Sequence, residues 1–200
     1  MTRLEALNLM ASALGARTYL EIGVQRGLVF RVVNVAHKVG VDPDPRSAAS
    51  IHRTSNDYFA DLDHDTRFDL IFIDGLHLAE QVEQDVANAL KHLTPGGVIM
   101  LHDCSPPTKR SAEREMDPAL WCGDVWRAWV RIRAFMPSTF TVDTDLGLGV
   151  ISPTDPIRPA PEPHAYQTWE DLDQHRQTAL GLVPVPEFRR WVRTLPRLVR

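Results

Sequence analysis

Apolar positions along this chain recur with two different periods, and the alternation between them predicts its elements. Leu4, Leu7, Met10, Ala11 and Leu14 recur at helical spacing over residues 3–14, and Gly15 stands where a left-handed residue stops a helix. Thr18 to Val24 (TYLEIGV) and Lys38 to Asp42 (KVGVD) read as buried strands, each running into glycine or an acid. Phe68 to Asp74 (FDLIFID) is continuously apolar rather than alternating, as a parallel strand covered on both faces requires. Leu78, Val82, Val86, Ala89, Leu90 and Leu93 then fall on one helical stripe, closed by Thr94-Pro95-Gly96-Gly97. A fourth strand follows from Val98 to Leu101 and exits at His102-Asp103. Asp124 to Arg133 reads as helix, and Ser138 to Ile151 as two strands joined by a turn.

Strands alternating with helices imply an α/β fold, a doubly wound and mostly parallel sheet with an antiparallel C-terminal hairpin, over residues 1–151. Five prolines between Pro153 and Pro163 suit neither helix nor sheet and predict a semi-rigid linker. Beyond it Trp169, Leu172, Leu180, Leu182, Phe188 and Trp191 are too apolar for a free tail. Residues 152–200 are therefore expected to be a linker and a docking tail, held on the core or on a second subunit of a homodimer.

Two hundred residues suit one compact domain, and 44% hydrophobic with 24% charged residues is ordinary globular composition. A net charge of −4 with scattered Lys and Arg offers no field for a phosphate backbone, which argues against nucleic acid as a partner. The longest apolar runs are short and the N-terminus mixes Arg3 and Glu5 with apolar residues, so neither a membrane span nor a signal peptide is expected, and the cytoplasm is the expected compartment. Cys104 and Cys122 lack metal-ligand spacing and read as reduced thiols.

Ligands of an open parallel sheet bind at the carboxyl ends of its strands. The first strand exit, Glu21-Ile22-Gly23-Val24-Gln25-Arg26-Gly27, spaces its glycines four apart and lacks the GxGxxG pattern that brings a helix N-terminus to a pyrophosphate. A cofactor without phosphate fits better, and S-adenosylmethionine is one. Gly23 and Gly27 allow close backbone approach, Asp42 ends the second strand where a ribose acid belongs, and Ser55 or Asp57 is placed to reach the adenine end. Each signal is weak alone, since an acid after a strand is often a turn former. Gly23, Asp42, Asp74 and Asp103 at four successive strand ends are harder to obtain from capping alone.

The segments YLEIGVQRG (19–27), KVGVDPDP (38–45), FDLIFIDGLHLAEQVEQDV (68–86), LTPGGVIMLHDCSPP (93–107) and WCGDVW (121–126) together resemble class I, Rossmann-like, S-adenosylmethionine-dependent methyltransferases, within them the methyltransferase-24-like group. The resemblance spans roughly residues 18–151. It implies that Glu21, Gly23 and Gly27 line the methionine and ribose part of the cofactor, that Asp42 holds the ribose hydroxyls, and that Asp74 faces the sulfonium and the acceptor. The chain departs from the family between Gly27 and Lys38, a short stretch with β-branched Val32, Val33 and Val35 where a full helix usually sits.

The expected reaction is O-methylation of a small-molecule acceptor, a sugar or secondary-metabolite hydroxyl, with Asp74, His77 and Asp103 as catalytic candidates and His77 as general base. Asp74, His102 and Asp103 also offer a hard divalent cation such as Mg²⁺ two carboxylates and an imidazole, although His102 stands where related O-methyltransferases often carry an acid. Trp121, Asp124 and Trp126 are candidates for the acceptor wall. Two competing readings are a metal-dependent hydrolase or lyase built on Asp74, His77, His102 and Asp103, and a binding protein that keeps the cofactor slot without turnover.

Overall fold

The computed structural model describes residues 1–136, 138–153 and 166–199, so the proline-rich stretch read as a linker lies, from residue 154 on, outside the described residues. Helix α1 (Arg3–Leu14) opens with a capping box between Thr2 and Glu5 and ends, as its spacing predicts, at left-handed Gly15. Strands β1 (Thr18–Ile22) and β2 (His37–Val41) follow, then α2 (Ser55–Asp61), β3 (Phe68–Ile73), α3 (Ala79–Lys91) and β4 (Leu93–Leu101). Helix α4 (Val125–Phe135) leads to the hairpin β5 (Thr139–Val142) and β6 (Leu148–Ile151), and the tail adds α5 (Trp169–Leu180), β7 (Leu182–Val183) and α6 (Val185–Val192).

The strands form one seven-stranded sheet in the order β2-β1-β3-β4-β6-β5-β7, in which only β6 runs against its neighbours. This is the doubly wound, mostly parallel sheet with an antiparallel hairpin that the periodicity implies. Helices α3, α4 and α5 cover one face, packing Val82, Val86, Trp129 and Leu180 on Ile71 and Ile99. The other face takes α1 and α6, with Leu7, Met10 and Phe188 against Tyr19, Leu70, Phe72 and Phe140. Every residue of β3 is buried, which accounts for its apolar run, and the one acid in it, Asp69, accepts from the backbone N–H groups of Arg17 and Thr18. Strand order reverses between β1 and β3, so their carboxyl ends open the crevice where a ligand is expected.

The departure read after Gly27 is present in the structure, and two further elements differ from the expectation. Residues 28–34 form turns and no helix: Lys38 Nζ donates to the carbonyls of Phe30, Arg31 and Val33 at 2.9, 3.2 and 3.2 Å, closing the segment after about one turn. The Pro95-Gly96-Gly97 run does not precede the fourth strand but lies inside it, because Leu93 already pairs with Phe68 and the register slips before Leu70 meets Val98. The tail not only docks but supplies β7, which pairs parallel with β5 at the sheet edge.

Candidate active site at the strand ends

The exits of β1 and β3 meet at Gly23 and Asp74. Gly23 has φ +85°, and a Cβ there would stand 2.0 Å from the Asp74 carbonyl oxygen, so only glycine lets the two strand ends approach this closely. Two cavities open on this junction. One, of about 380 Å³, is lined by Ile22, Val41, Asp42, Ser55, Leu76 and Trp121 among others; the second, of about 270 Å³, is lined by Arg3, Glu21, Arg26 and Leu28. Gly23, Gln25 and Asp74 line both, so the two cavities adjoin at the topological switch point and are taken together as the groove. A more open cavity of about 500 Å³ lies between α2 and α3, away from the strand ends, and gathers none of the acids that the strands present.

Asp42 organises the loop after β1. Its Oδ2 accepts from the backbone N–H groups of Val24 and Gln25 at 3.0 and 2.8 Å, and its Oδ1 accepts from that of Asp44 at 2.9 Å. An ionised carboxylate has about four acceptor positions, so three are committed to backbone and the free one belongs to Oδ1. Glu21 is buried and accepts from the Tyr19 hydroxyl at 2.6 Å. Burial raises its carboxyl to about 8, against the lowering effect of the Tyr19 hydrogen bond.

Asp74, His77, His102 and Asp103, drawn from two strand exits, come together as the sequence predicts. His102 Nδ1 lies 3.1 Å from Asp103 Oδ2 and 3.4 Å from Asp74 Oδ1, while His102 Nε2 lies 3.4 Å from Asp145 Oδ1. Burial works to lower its pKa, but hydrogen bonds to Asp103, Asp145 and Asp74 outweigh burial and hold the imidazolium up at about 11. Asp74 is driven the other way: burial alone would raise it, and the hydrogen bonds from His102 and His77 with the charges of His102 and Arg3 bring it well below the usual carboxylate range. His77 Nε2 faces Asp103 Oδ2 at 3.3 Å and Asp74 Oδ1 at 3.5 Å, and its Nδ1 donates to the Trp121 carbonyl at 3.0 Å. Its ring packs on Trp121 and lines neither half of the groove, and the two carboxylates hold its pKa above the usual histidine value in spite of burial. Asp103 adopts left-handed φ +60°, and its Oδ1 is buried without a partner among the described residues.

The remaining predicted residues separate into lining and framework. Ser55 and Trp121 line the larger cavity. Gly27 lines neither; at φ +72° it closes the turn through its N–H to the Val24 carbonyl, and a Cβ would stand 2.6 Å from that of Ala48. Asp57 accepts from the Thr54 hydroxyl at the start of α2 and also stands outside the groove. Asp124 caps α3 from a distance, Oδ1 accepting from Ala79 N–H at 2.8 Å, with Arg114 on its Oδ2 at 2.6 Å. Trp126 is buried in the core. Cys104 and Cys122 are free, buried thiols, and burial pushes both up, away from thiolate chemistry.

Two site residues carried no signal in the chain. Arg3 Nη1 lies 3.0 Å from Asp74 Oδ2 and 2.8 and 3.0 Å from the His102 ring nitrogens. Asp145, on the hairpin turn, holds His102 and accepts from the Arg3 backbone N–H at 2.5 Å. Arg3 sits in the first turn of α1 and Asp145 on the turn that follows β5, and only the tertiary fold brings the two to the same place.

A family model described as a methyltransferase domain matches residues 20–104. Among solved structures, a cofactor-bound protein from MTB is 19% identical, with 78% of this chain and 82% of that one covered at a TM-score of 0.55. An O-methyltransferase from Bacillus cereus in complex with SAH is also 19% identical, with 76% and 82% covered at 0.55. The O-methyltransferase TomG from Streptomyces achromogenes, involved in tomaymycin synthesis and in complex with SAM, is 18% identical, with 74% and 77% covered at 0.54. At these identities the structures share the fold. No curated protein matches the chain. Among the described residues no helix is long and apolar enough to cross a membrane.

Proposed function

We propose that the chain is a class I S-adenosylmethionine-dependent methyltransferase, a reading supported by the methyltransferase-domain match over residues 20–104 and by the shared fold, and that it methylates a hydroxyl of a small molecule at the junction of Gly23 and Asp74. The observation that carries this reading is that two cavities share Gly23, Gln25 and Asp74 at that junction, with linings that suit the two ends of one cofactor. Ile22, Val41, Leu76 and Trp121 give the apolar walls an adenosine needs, with Asp42 Oδ1 left to accept from one ribose hydroxyl. Glu21 and Arg26 on the other side suit the amino and carboxylate groups of a methionine. When bound, the cofactor supplies a methyl group on a sulfonium, an electrophile at neutral pH.

The work of the protein is then alignment, since holding two reactants in line is worth roughly 7–11 kcal/mol. Gly23 lets backbone rather than side chain form the floor at the junction, and Asp42 fixes the loop that follows by three backbone hydrogen bonds. Asp74, kept ionised by its cationic neighbours, lines both halves and faces the reacting centre. His77 and Asp103 serve by positioning: His77 ties the 105–124 loop to the strand exits through Trp121 and aims its second nitrogen at both carboxylates. The donors Asp74, His102 and Asp103 lie within 4.8 Å of one another, and their two carboxylates are of a kind that suits Mg²⁺, but the Arg3 guanidinium already bonds Asp74 and stands against the His102 ring, where an ion would have to sit. The same contact counts against a metal-dependent hydrolase.

Calorimetric titration with S-adenosylhomocysteine tests the reading. Wild-type protein is expected to bind, and Asp42→Ala to bind at least about tenfold more weakly, the equivalent of 1.4 kcal/mol for a lost hydroxyl contact and a loosened loop. No binding by folded wild-type protein would overturn the proposal. A screen of phenols, sugars and amines with labelled cofactor then tests the acceptor class, and transfer to amines alone would overturn hydroxyl methylation.

A further inference from the structure

We propose that Arg3 is the resident cation of this active site: its guanidinium takes the position a divalent ion would hold, and it selects acceptors whose reacting oxygen is an acidic hydroxyl. The second part rests on the methyltransferase reading; the first does not.

The cluster at the strand ends holds three carboxylates, Asp74, Asp103 and Asp145, around the His102 ring. Both ring nitrogens of His102 are already engaged, Nδ1 with Asp103 and Asp74 and Nε2 with Asp145, and Arg3 Nη1 stands 2.8 and 3.0 Å from them, so with Arg3 in place neither nitrogen is open to a metal. Arg3 Nη1 reaches the same ring and bonds Asp74 Oδ2 at 3.0 Å. A Mg²⁺ ion takes oxygen ligands at about 2.0–2.1 Å, so an ion on Asp74 would have to share that carboxylate with the guanidinium already bonded to its Oδ2.

Arg3 is held there by more than its side chain. Its backbone N–H donates to Asp145 Oδ2 at 2.5 Å, and the Thr144 hydroxyl donates to the Met1 carbonyl at 2.5 Å. The Thr2–Glu5 capping box fixes the helix turn that carries it. Only Nη1 of the guanidinium has partners among the described residues. Nε and Nη2 keep their hydrogens, and Arg3 lines the groove beside Asp74 and Gly23. A planar, permanently charged donor at that place stabilises an oxyanion and does nothing comparable for a neutral alcohol. An acidic hydroxyl loses its proton to water as it binds. Its oxygen then forms the bond to the methyl carbon while the carbon–sulfur bond breaks, and that electron pair leaves on sulfur as a neutral thioether.

Three readouts test this on wild type, Arg3→Met and Arg3→Lys, each first shown to melt cooperatively. Mn²⁺ titration followed by electron paramagnetic resonance is expected to show no tight site in wild type and to reveal one in Arg3→Met. The visible band of 4-nitrophenol, added with S-adenosylhomocysteine, is expected to show the phenolate form persisting to lower pH on wild type than in buffer, and this shift should vanish in Arg3→Met and be partly restored in Arg3→Lys. Turnover of phenolic acceptors in EDTA should fall by about a hundredfold in Arg3→Met, as for removal of one donor to a developing oxyanion. Tight Mn²⁺ binding by wild type, or full phenol turnover by Arg3→Met, would overturn the proposal. Failure of wild type to bind S-adenosylhomocysteine would remove the donor reading and acceptor selection with it, while the Mn²⁺ comparison would still decide whether Arg3 is the resident cation.

Discussion

At the scale of single residues, the groove is governed by buried charges that the fold pairs unequally. Asp74 and His102 gain opposite partners and stay charged, whereas Glu21 has a hydroxyl neighbour and little else to offset its burial. A carboxyl whose folded pKa is raised binds its proton more tightly in the folded than in the unfolded chain. Its contribution to stability is therefore full below about pH 4.5 and is lost progressively as the pH rises through about 8, because the folded state then resists an ionisation that the unfolded state does not. Apo protein is expected to lose stability relative to Glu21→Gln across that interval. Urea midpoints at several pH values measure the difference, and parallel curves for the two proteins would show that Glu21 ionises freely in the fold. Gly23, Asp42, Asp74 and Asp103 were legible from their places at strand exits, since a strand end fixes where a residue sits even when its partners are unknown. What Asp42, Asp57 and Asp124 bond to was not legible, because the same acid after the same strand or before the same helix either caps backbone or meets a ligand.

At the scale of elements, periodicity located the strands to within a residue or two and failed where a turn competes with a strand. Thr94 to Gly97 has the composition of a helix stop, yet α3 ends earlier, and pairing of Leu93 with Phe68 draws the glycines into β4 as an irregularity. The segment after Gly27 shows the opposite competition, in which β-branched Val33 and Val35 are buried under the sheet and a lysine takes up the carbonyls that a longer helix would have satisfied. Elements on the far side of the sheet are fastened by buried polar contacts. Trp129 Nε1 donates to the Thr141 hydroxyl at 2.6 Å, which in turn donates to the Leu180 carbonyl at 2.6 Å, tying α4, β5 and α5 together. The Arg133 guanidinium is buried and caps the end of α5 through the carbonyls of Thr178 and Ala179 at 2.8 and 2.6 Å. Hydrogen bonds to a charged group contribute about 1.5–3 kcal/mol each, and losing the guanidinium leaves both carbonyls dry. Arg133→Leu is expected to cost about 3 kcal/mol and to raise hydrogen exchange in residues 169–192 more than in β1 or β3. Uniform exchange across the sheet would show that the tail and the core open together and not in sequence.

At the scale of the whole molecule, the tail belongs to the same packing as the strands that carry the site. Leu172, Ala179 and Leu180 are fully buried in the layer formed with α3 and α4, while Val183, Phe188 and Val192 lie with α1 on the opposite face. The apolar character of residues 169–191 predicted docking, but neither the layer each part joins nor β7 could be read, since a strand of two residues has too few positions to show a period. This arrangement makes the C-terminal residues a support for the site at one remove. Phe188 packs on Phe140 of β5, and the turn at the other end of β5 presents Asp145 to His102 and Arg3. Removing residues 152–200 would expose Phe140 and the buried end of Trp129, and burial of a single large side chain is worth about 1.5–3 kcal/mol against a typical domain stability of about 5–15 kcal/mol. A chain ending at residue 151 is therefore expected to lack a cooperative unfolding transition and to lose S-adenosylhomocysteine binding, although no lining residue of the groove lies in the deleted part. Cooperative melting by the shortened chain with unchanged affinity would show that β1 to β6 form an autonomous unit. Retained melting with weakened affinity would place the effect on the hairpin turn, and Asp145→Asn in the full-length chain should then reproduce it.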